Sequence, residues 1–365
     1  MRICSPQLGI SPKSVLGGEV FDREILLGLA KNGVEVEIIL PKKKPHDINV
    51  KNWKITYLPF AHFPPQIFNL LIIPYLFKIN SRKKIDIIRL HQPQFTALGA
   101  IAFKLFNPNV KVIATYHKFE ETNFGLFSKV LNQYWNHIIC DSLSVKQKII
   151  EKFNLDSSKI SVVHNGVPSY LRSQIRDKIL EKKLNLRGKI VLLFMGLFQE
   201  RKNPLFLIDV LSKLSSNVAI LFWGDGPLRE KIIKKAKEQR LYERIKIIDP
   251  VFGLEKNKIH NLSDIFVHPS KDEGFALSPL EAMACAKPVI ITNGYSAREA
   301  VEDGVNGFLC RLNDVSDWIH KLEELIKNKK LREKMGKASL EKVKDRFQWQ
   351  TAVKIHIDAF NKILS

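Results

Sequence analysis

Apolar residues along this chain follow two rhythms. Unbroken runs occur at MRICS (1–5), VEVEIIL (34–40), IDIIRL (85–90), VKVIAT (110–115) and HIICDS (137–142). Between them apolar positions recur at helical spacing, as in GGEVFDREILLGLAKNG (17–33), with acids in the first turn and Gly33 as a stop. Continuous apolar runs of this kind predict strands of a parallel sheet covered on both faces. A second series begins near 189, with KIVLLFM (189–195), VAILFWG (218–224), RIKIID (244–249), DIFVHP (264–269), PVIIT (288–292) and GFLC (307–310) as strands. PLFLIDVLSKL (204–214) and PLREKIIKKAKEQ (227–239) are helices within that series. Alternating strand and helix over both halves predicts the α/β class, as two doubly wound, Rossmann-like domains. The length of 365 residues points the same way, since single cores rarely grow past about 250–300 residues. The join falls between SVVHNGV (161–167) and KIVLL, where 168–188 is basic and polar with Pro168 and Gly188 as breakers. The expected domains are therefore 1–167 and 168–345, followed by a terminal helix at 346–365.

Composition narrows the setting. Lys plus Arg number 58 against 37 Asp plus Glu, a net charge of 58 − 37 = +21. That admits nucleic acid, an anionic membrane face or phosphorylated substrates as partners. No clustered platform of aromatic and basic residues is present, which argues against nucleic acid. Cys4, Cys140, Cys285 and Cys310 are far apart with no C-x-x-C pair, so neither a disulfide framework nor a structural zinc site is expected. A reducing cytoplasm is the expected location. The first residues lack an apolar signal-peptide core, and IFNLLIIPYLF (67–77) is interrupted by Asn69 and Pro74, well short of the roughly 20 residues a spanning helix needs. The longer segment PPQIFNLLIIPYLFKINSRKK (64–84) is apolar and then basic, with Lys78, Arg82, Lys83 and Lys84. Two readings stand open: a core helix ending in a solvated basic turn, or a segment lying on an anionic membrane.

In open α/β sheets ligands bind beyond the carboxyl ends of the strands, so the chemistry is sought at strand-to-helix turns. The richest is DIFVHPSKDEGFALSPLEAMACAKPVIIT (264–292). Glu273 and Gly274 lie in its loop, and Ser278-Pro279-Leu280-Glu281 is expected to open a helix, with proline at its first position. The backbone amides of Gly274, Phe275, Ala276 and Leu277 then lie ahead of a helix N-terminus, which suits a diphosphate. Ser278 and Glu281 also have the spacing of a capping box.

This segment resembles the signature of the retaining glycosyltransferases with the GT-B fold, family four (glycosyl transferases group 1). Their E-G-F-G-L-P-x-x-E-A-M-A-C-G-x-P-V is met at Glu273, Gly274, Phe275, Leu277, Glu281, Ala282, Met283, Ala284, Cys285, Pro288 and Val289, with Ala276 and Ala286 where glycine is common. The resemblance implies that Glu273 sits near the hydroxyls of the transferred sugar and that Glu281 accepts hydrogen bonds from the nucleotide ribose. FMGLFQERKNP (194–204) is similar to the family's G-R-L-x-x-R-K-N; Lys202 and Arg201 would neutralise the departing diphosphate, while Leu197 stands where an arginine is usual. Gly17 and Gly18, just before the first long helix, match the family's Gly-Gly turn facing the diphosphate and acceptor. Gly224 and Gly226 in GDGP match the turn beside the nucleotide base. His117 at the end of VIATYH corresponds to a histidine contacting the donor phosphate and sugar, with His91 a second candidate. The terminal helix would pack back on the first domain, and the two domains would face a cleft.

The implied reaction is glycosyl transfer from a nucleoside diphosphate sugar, with retention, to a sugar or lipid-linked sugar acceptor, in envelope polysaccharide, glycolipid or glycan assembly. No cofactor is implied, and no metal is expected, since no D-x-D-type cluster lies at the donor position. A sugar-nucleotide epimerase of the same architecture and a non-catalytic homologue are the alternatives. A cytoplasmic protein, peripheral on the inner membrane face, is the corresponding localisation.

Overall fold

In the computed structural model, residues 1–271, 273–294 and 296–365 are described, and they divide into two compact units, Met1–Gly166 with Trp349–Ser365, and Val167–Gln348.

The first unit runs β1 (Arg2–Pro6), α1 (Gly17–Lys31), β2 (Glu35–Pro41), β3 (Trp53–Leu58), α2 (Phe68–Arg82), β4 (Ile87–His91), α3 (Ala97–Phe106), β5 (Lys111–Tyr116), α4 (Ser128–Tyr134), β6 (His137–Cys140), α5 (Leu143–Phe153) and β7 (Ile160–Val162). The seven strands form one sheet in the order β3-β2-β1-β4-β5-β6-β7, and each pair is parallel. One face is covered by α2, α3 and α5, which bury Ile72, Leu76, Phe103, Ile149 and Phe153 against the strands. The other face carries α1 and the terminal helix α14 (Trp349–Leu364). There the Gly28 position lies against Val353, and Phe21 makes ring contacts with Trp349 and His356. Strands β3 and β7 were not among the expected strands; both are edge strands, and their residues are mostly half-buried or exposed.

The second unit continues with α6 (Lys178–Lys183), β8 (Ile190–Met195), α7 (Phe206–Lys213), β9 (Val218–Trp223), α8 (Arg229–Glu238), β10 (Ile245–Ile248), α9 (Leu254–Leu262), β11 (Ile265–His268), α10 (Leu277–Ala284), β12 (Val289–Thr292), α11 (Ala297–Ala300), β13 (Gly307–Cys310), α12 (Val315–Lys327) and α13 (Lys329–Arg346). Its six strands are ordered β10-β9-β8-β11-β12-β13, again all parallel. Alternate strand residues feed two apolar cores, one on each face. The unit boundaries differ from the expected ones by one residue at the first join and three at the second. Val167 pairs with Gln348 and donates its N–H to the Phe347 carbonyl at 3.0 Å, which keeps both strands of the connection with the second unit.

Each sheet reverses its strand order once, between β1 and β4 in the first unit and between β8 and β11 in the second. Loops leaving neighbouring strands there diverge to opposite sides and leave a crevice at the carboxyl ends. Gly17, Gly18 and His91 lie at the first of these points and Arg201, Lys202 and Glu273 at the second, while His117 follows β5 and Gly224 and Gly226 follow β9.

Candidate functional site

At the switch point of the second unit, a short helical turn at Glu200–Lys202 follows β8, and Pro269–Ala276 connects β11 to α10. The two loops are tied by backbone and side chain. The Lys271 N–H donates to the Arg201 carbonyl at 2.8 Å, Ser270 Oγ lies 3.0 Å from the same carbonyl, and Asn203 Nδ2 donates to the Pro269 carbonyl at 3.2 Å. This binding places Arg201 and Lys202 around Glu273. Arg201 Nη1 lies 3.1 Å from Glu273 Oε2, Lys202 Nζ pairs with Oε1, Ser270 Oγ donates to Oε1 at 2.7 Å, and His268 Nε2 is 3.3 Å away. Burial alone would raise the Glu273 carboxyl, but Lys202, His268 and Arg201 hold it well below the usual carboxylate range. Burial pushes the His268 imidazole below its ordinary range, against the pull of Glu273. Leu197 brings no charge, so the cations of this loop are Arg201 and Lys202.

Beyond Glu273 the chain is extended at Ala276, and α10 begins at Leu277 with no side-chain cap on its amides. Two local expectations are thereby corrected. Pro279 is not the first helical residue, and Ser278 and Glu281 do not form a capping box. The helix starts earlier because Phe275, buried against Phe347, anchors the loop one turn upstream. Gly274 is buried with Phe275, while Ala276 and Leu277 are half-buried.

Glu281 therefore belongs to another set. Its Oε1 accepts from Lys256 Nζ at 2.6 Å, its Oε2 is 3.7 Å from His260 Nε2, and Lys256 lies 5.2 Å over the Trp223 ring. Burial would raise this carboxyl; Lys256 and His260 bring it down to about 2. Gly224 and Gly226 follow Trp223. A Cβ at Gly224 would sit 2.0 Å from the Gly196 carbonyl oxygen and one at Gly226 2.7 Å from that of Phe198, both at a φ of +149°. These glycines let two loops touch: Phe198 N–H donates to the Asp225 carbonyl at 2.9 Å and Leu228 N–H to that of Phe198 at 3.0 Å.

In the first unit Gly17 and Gly18 form the first turn of α1 itself. Beneath them lies a buried polar row. Asp22 contacts Arg89 Nη2 at 2.7 Å and His91 Nδ1 at 2.9 Å, and accepts from Gln7 Nε2 at 2.7 Å. His117, just past β5, has Nε2 3.2 Å from His91 Nδ1 and Nδ1 3.7 Å from Asp141. Burial would raise Asp22, yet Arg89 and His91 hold it well below the usual range. Burial would lower His117, but Asp141, Glu121 and Asp22 outweigh it and raise its affinity for a proton. Ligand atoms of Asp22, His91 and His117 lie within 4.8 Å of one another, the single such trio found among the described residues. With Arg89 already balancing Asp22, the trio is better suited to hydrogen bonding than to a metal ion.

The structure thus gathers Glu273, Arg201 and Lys202, sets Glu281 apart with a partner of its own, and joins His117 to His91. Sequence reasoning missed Lys256, His260 and His268, and also Asp22, Arg89 and Asp141. His268 lies inside the motif that was read, at the strand end; the others carry no spacing signal.

Two Rossmann-like units of wholly parallel strands, each with polar groups at its switch point, define the GT-B class of fold. Residues 175–342 match the family model described as Glycosyl transferases group 1, and 15–169 the model Glycosyltransferase Family 4. The chain belongs to this family of glycosyltransferases. The Escherichia coli UDP-Gal:alpha-D-GlcNAc-diphosphoundecaprenol alpha-1,3-galactosyltransferase is 28% identical over 280 residues, 70% of this chain and 70% of that one. N-acetyl-alpha-D-glucosaminyl L-malate synthase of Bacillus anthracis is 24% identical over 93% of this chain and 92% of its own. Among solved structures, sucrose-phosphate synthase from Thermosynechococcus elongatus has a TM-score of 0.81 at 17% identity, covering 99% of this chain and 98% of that one. Anabaena HepE in complex with UDP and glucose has a TM-score of 0.80 at 18% identity, covering 99% and 100%. At such identities the structural likeness is one of fold.

Proposed function

We propose that the chain transfers a glycosyl group from a nucleoside diphosphate sugar to a sugar or lipid-linked sugar acceptor, with retention of anomeric configuration, in the assembly of envelope polysaccharide, glycolipid or glycan. The observation that carries this reading is the Glu273 cluster. An ionised carboxylate is ringed by Arg201 and Lys202, one loop ahead of the α10 N-terminus. As the sugar leaves the diphosphate, negative charge grows on the phosphate oxygens, and fixed cations with oriented amides stabilise it without reorganising. Glu273 accepts hydrogen bonds from sugar hydroxyls, and Glu281, kept ionised by Lys256, accepts them from the ribose. No covalent nucleophile is assigned. Charge neutralisation by Arg201 and Lys202 replaces a metal, so a chelator should leave nucleotide binding unchanged. The names UDP-Gal and UDP among the relatives and neighbours favour a uridine donor.

The test is thermal stability with UDP, GDP, ADP, CDP and dTDP and their common sugars, for the parent chain and Glu281→Gln. At 100 times its dissociation constant a ligand adds about 2.7 kcal/mol, a shift of a few degrees. One base should give that shift and the variant should lose it; no shift with any base removes the donor reading.

A second reading concerns the acceptor side. Helices α2 and α3 leave an apolar stripe exposed: Leu70, Leu105 and Phe106 are 67%, 72% and 77% exposed. The Phe77 and Phe106 rings, 6.0 Å apart, join the two helices' stripes. From Phe60 to Lys118 the chain holds eight Lys and Arg and a single acid, Asp86. An apolar face in so basic a stretch suits an anionic lipid surface, where lipid-linked acceptors reside. Among the described residues no helix is long and apolar enough to cross a membrane. Vesicles with anionic lipid should therefore retain the chain, while neutral vesicles should not.

A further inference from the structure

We infer that His91 is a positioning residue: through its Nδ1 hydrogen it fixes the tautomer and orientation of His117 beneath the first turn of α1. The inference rests on the glycosyltransferase reading only for the use to which His117 is put. It begins with Asp22. That carboxylate is fully buried, paired with Arg89 at 2.7 Å and held by Gln7 at 2.7 Å, so it is a fixed acceptor. His91 Nδ1 stands 2.9 Å from it and must carry the hydrogen that the carboxylate accepts. The same Nδ1 is 3.2 Å from His117 Nε2. One hydrogen on His91 therefore lies between two acceptors, and His117 Nε2 must present its lone pair. The proton of neutral His117 is then on Nδ1, the side of Asp141 at 3.7 Å. Which imidazole nitrogen carries hydrogen is set by the bond the other makes.

The two rings are also fixed in space. A Cβ at Gly18 would lie 3.3 Å from His91 Cε1 and 3.4 Å from His117 Cδ2, so both rings touch the underside of the Gly17–Gly18 turn. Phe21 meets His117 edge-on with centroids 4.9 Å apart. The groups facing the pair are Asp22 on α1, Arg89 on β4, Glu121 accepting from the His117 backbone N–H at 2.6 Å, Asp141 after β6, and the α14 imidazole His356 across Phe21. A second hydrogen placed on His117 Nε2 would oppose the one on His91 Nδ1. To admit it, His91 must give up its bond to Asp22.

The test uses the full chain labelled with 15N-histidine, followed by NMR across pH 5 to 9, with the His117 signals assigned from His117→Asn. In the parent chain, neutral His117 should carry hydrogen on Nδ1 and a bare Nε2. His91→Phe removes the donor to Nε2, so His117 should become a mixture of tautomers and titrate higher by about one pH unit. His91→Gln, whose amide can donate, should restore the parent tautomer. Hydrogen on Nε2 of neutral His117 in the parent overturns the inference without any variant. So does a His117 titration unmoved by a folded His91→Phe. Stoichiometric binding of Zn2+ to the parent, lost in His91→Phe, would overturn it in favour of a metal site. None of these readouts depends on a donor sugar, so failure of the nucleotide shifts and failure here are separate results.

Discussion

In the second unit the charged groups stand on loops beyond the strands, where the Arg201 side chain is 37% exposed and that of Glu273 15%, while in the first unit Asp22 on α1 and Arg89 in the sheet are at 0%. Both sets occupy the switch point of a parallel sheet, yet their environments differ. Of the loop charges, Arg201 keeps part of its hydration, so a change of partner there costs less than in a dry pair. A dry pair has no such freedom, because removing either ion leaves the other unsolvated. On the proposed function, the second unit's charges are the ones placed to bind and the first unit's the ones placed to position.

The largest expected effect breaks the dry pair. Asp22→Ala leaves Arg89 buried with no counter-ion and should cost about 3–5 kcal/mol, read from urea unfolding. The double replacement Asp22→Leu with Arg89→Met should recover most of it, since neither charge then needs water. A single variant as stable as the parent would mean that the pair is wet, and the contrast between the units would fall.

Lys202→Met tests the other side. Removing a cation that stabilises charge developing in the transition state should lower donor turnover by about 100- to 1,000-fold. Arg201, Ser270 and His268 still hold Glu273, so the unfolding midpoint should move far less than for Asp22→Ala. Full turnover with a large loss of stability would give Lys202 a purely structural part.

Glu281 lies between these extremes, buried but next to the loops, and its pH dependence has a definite sign. With a carboxyl at about 2 in the folded chain and about 4.3 when unfolded, its ion pair contributes stability above pH 4.3 that is lost as pH falls through 2. Lys256→Met removes the main charge that lowers it, so the loss should start at higher pH and the acid-unfolding midpoint should rise by about one unit. Trp223, directly under Lys256, is the fluorescence reporter. An unchanged midpoint would show that His260 alone keeps Glu281 ionised.

The same contrast explains what could be read in advance. The inner strands of both sheets were legible because buried parallel strands are unbroken apolar runs, as in VAILFW and VKVIAT. WKITYL was passed over: as an edge strand it keeps Lys54 and Tyr57 in solvent and breaks the run. Glu273, Arg201 and Lys202 were legible because their loops are compact in sequence. Lys256 lies 25 residues from Glu281, and Arg89 and Asp22 meet only through the fold. The capping box is absent because α10 already starts at Leu277, which puts Ser278 inside the helix and Ala276 at the cap, next to the buried Phe275.

The smallest expected change in stability comes with a large change in behaviour. Leu105→Glu with Phe106→Glu alters two side chains already in water, so the folded chain should be as stable as the parent to within about 0.5 kcal/mol. On a lipid surface each parent side chain would contribute up to about 1.5–3 kcal/mol of burial, and two new carboxylates would be repelled by anionic headgroups. Flotation with vesicles containing phosphatidylglycerol should thus fall at least tenfold. High salt should weaken the parent's binding through Lys78, Arg82 and Lys84, which are exposed on and just beyond α2. Undiminished flotation of the double variant would move the lipid contact away from this face and leave α2 and α3 as ordinary covering helices of the first sheet.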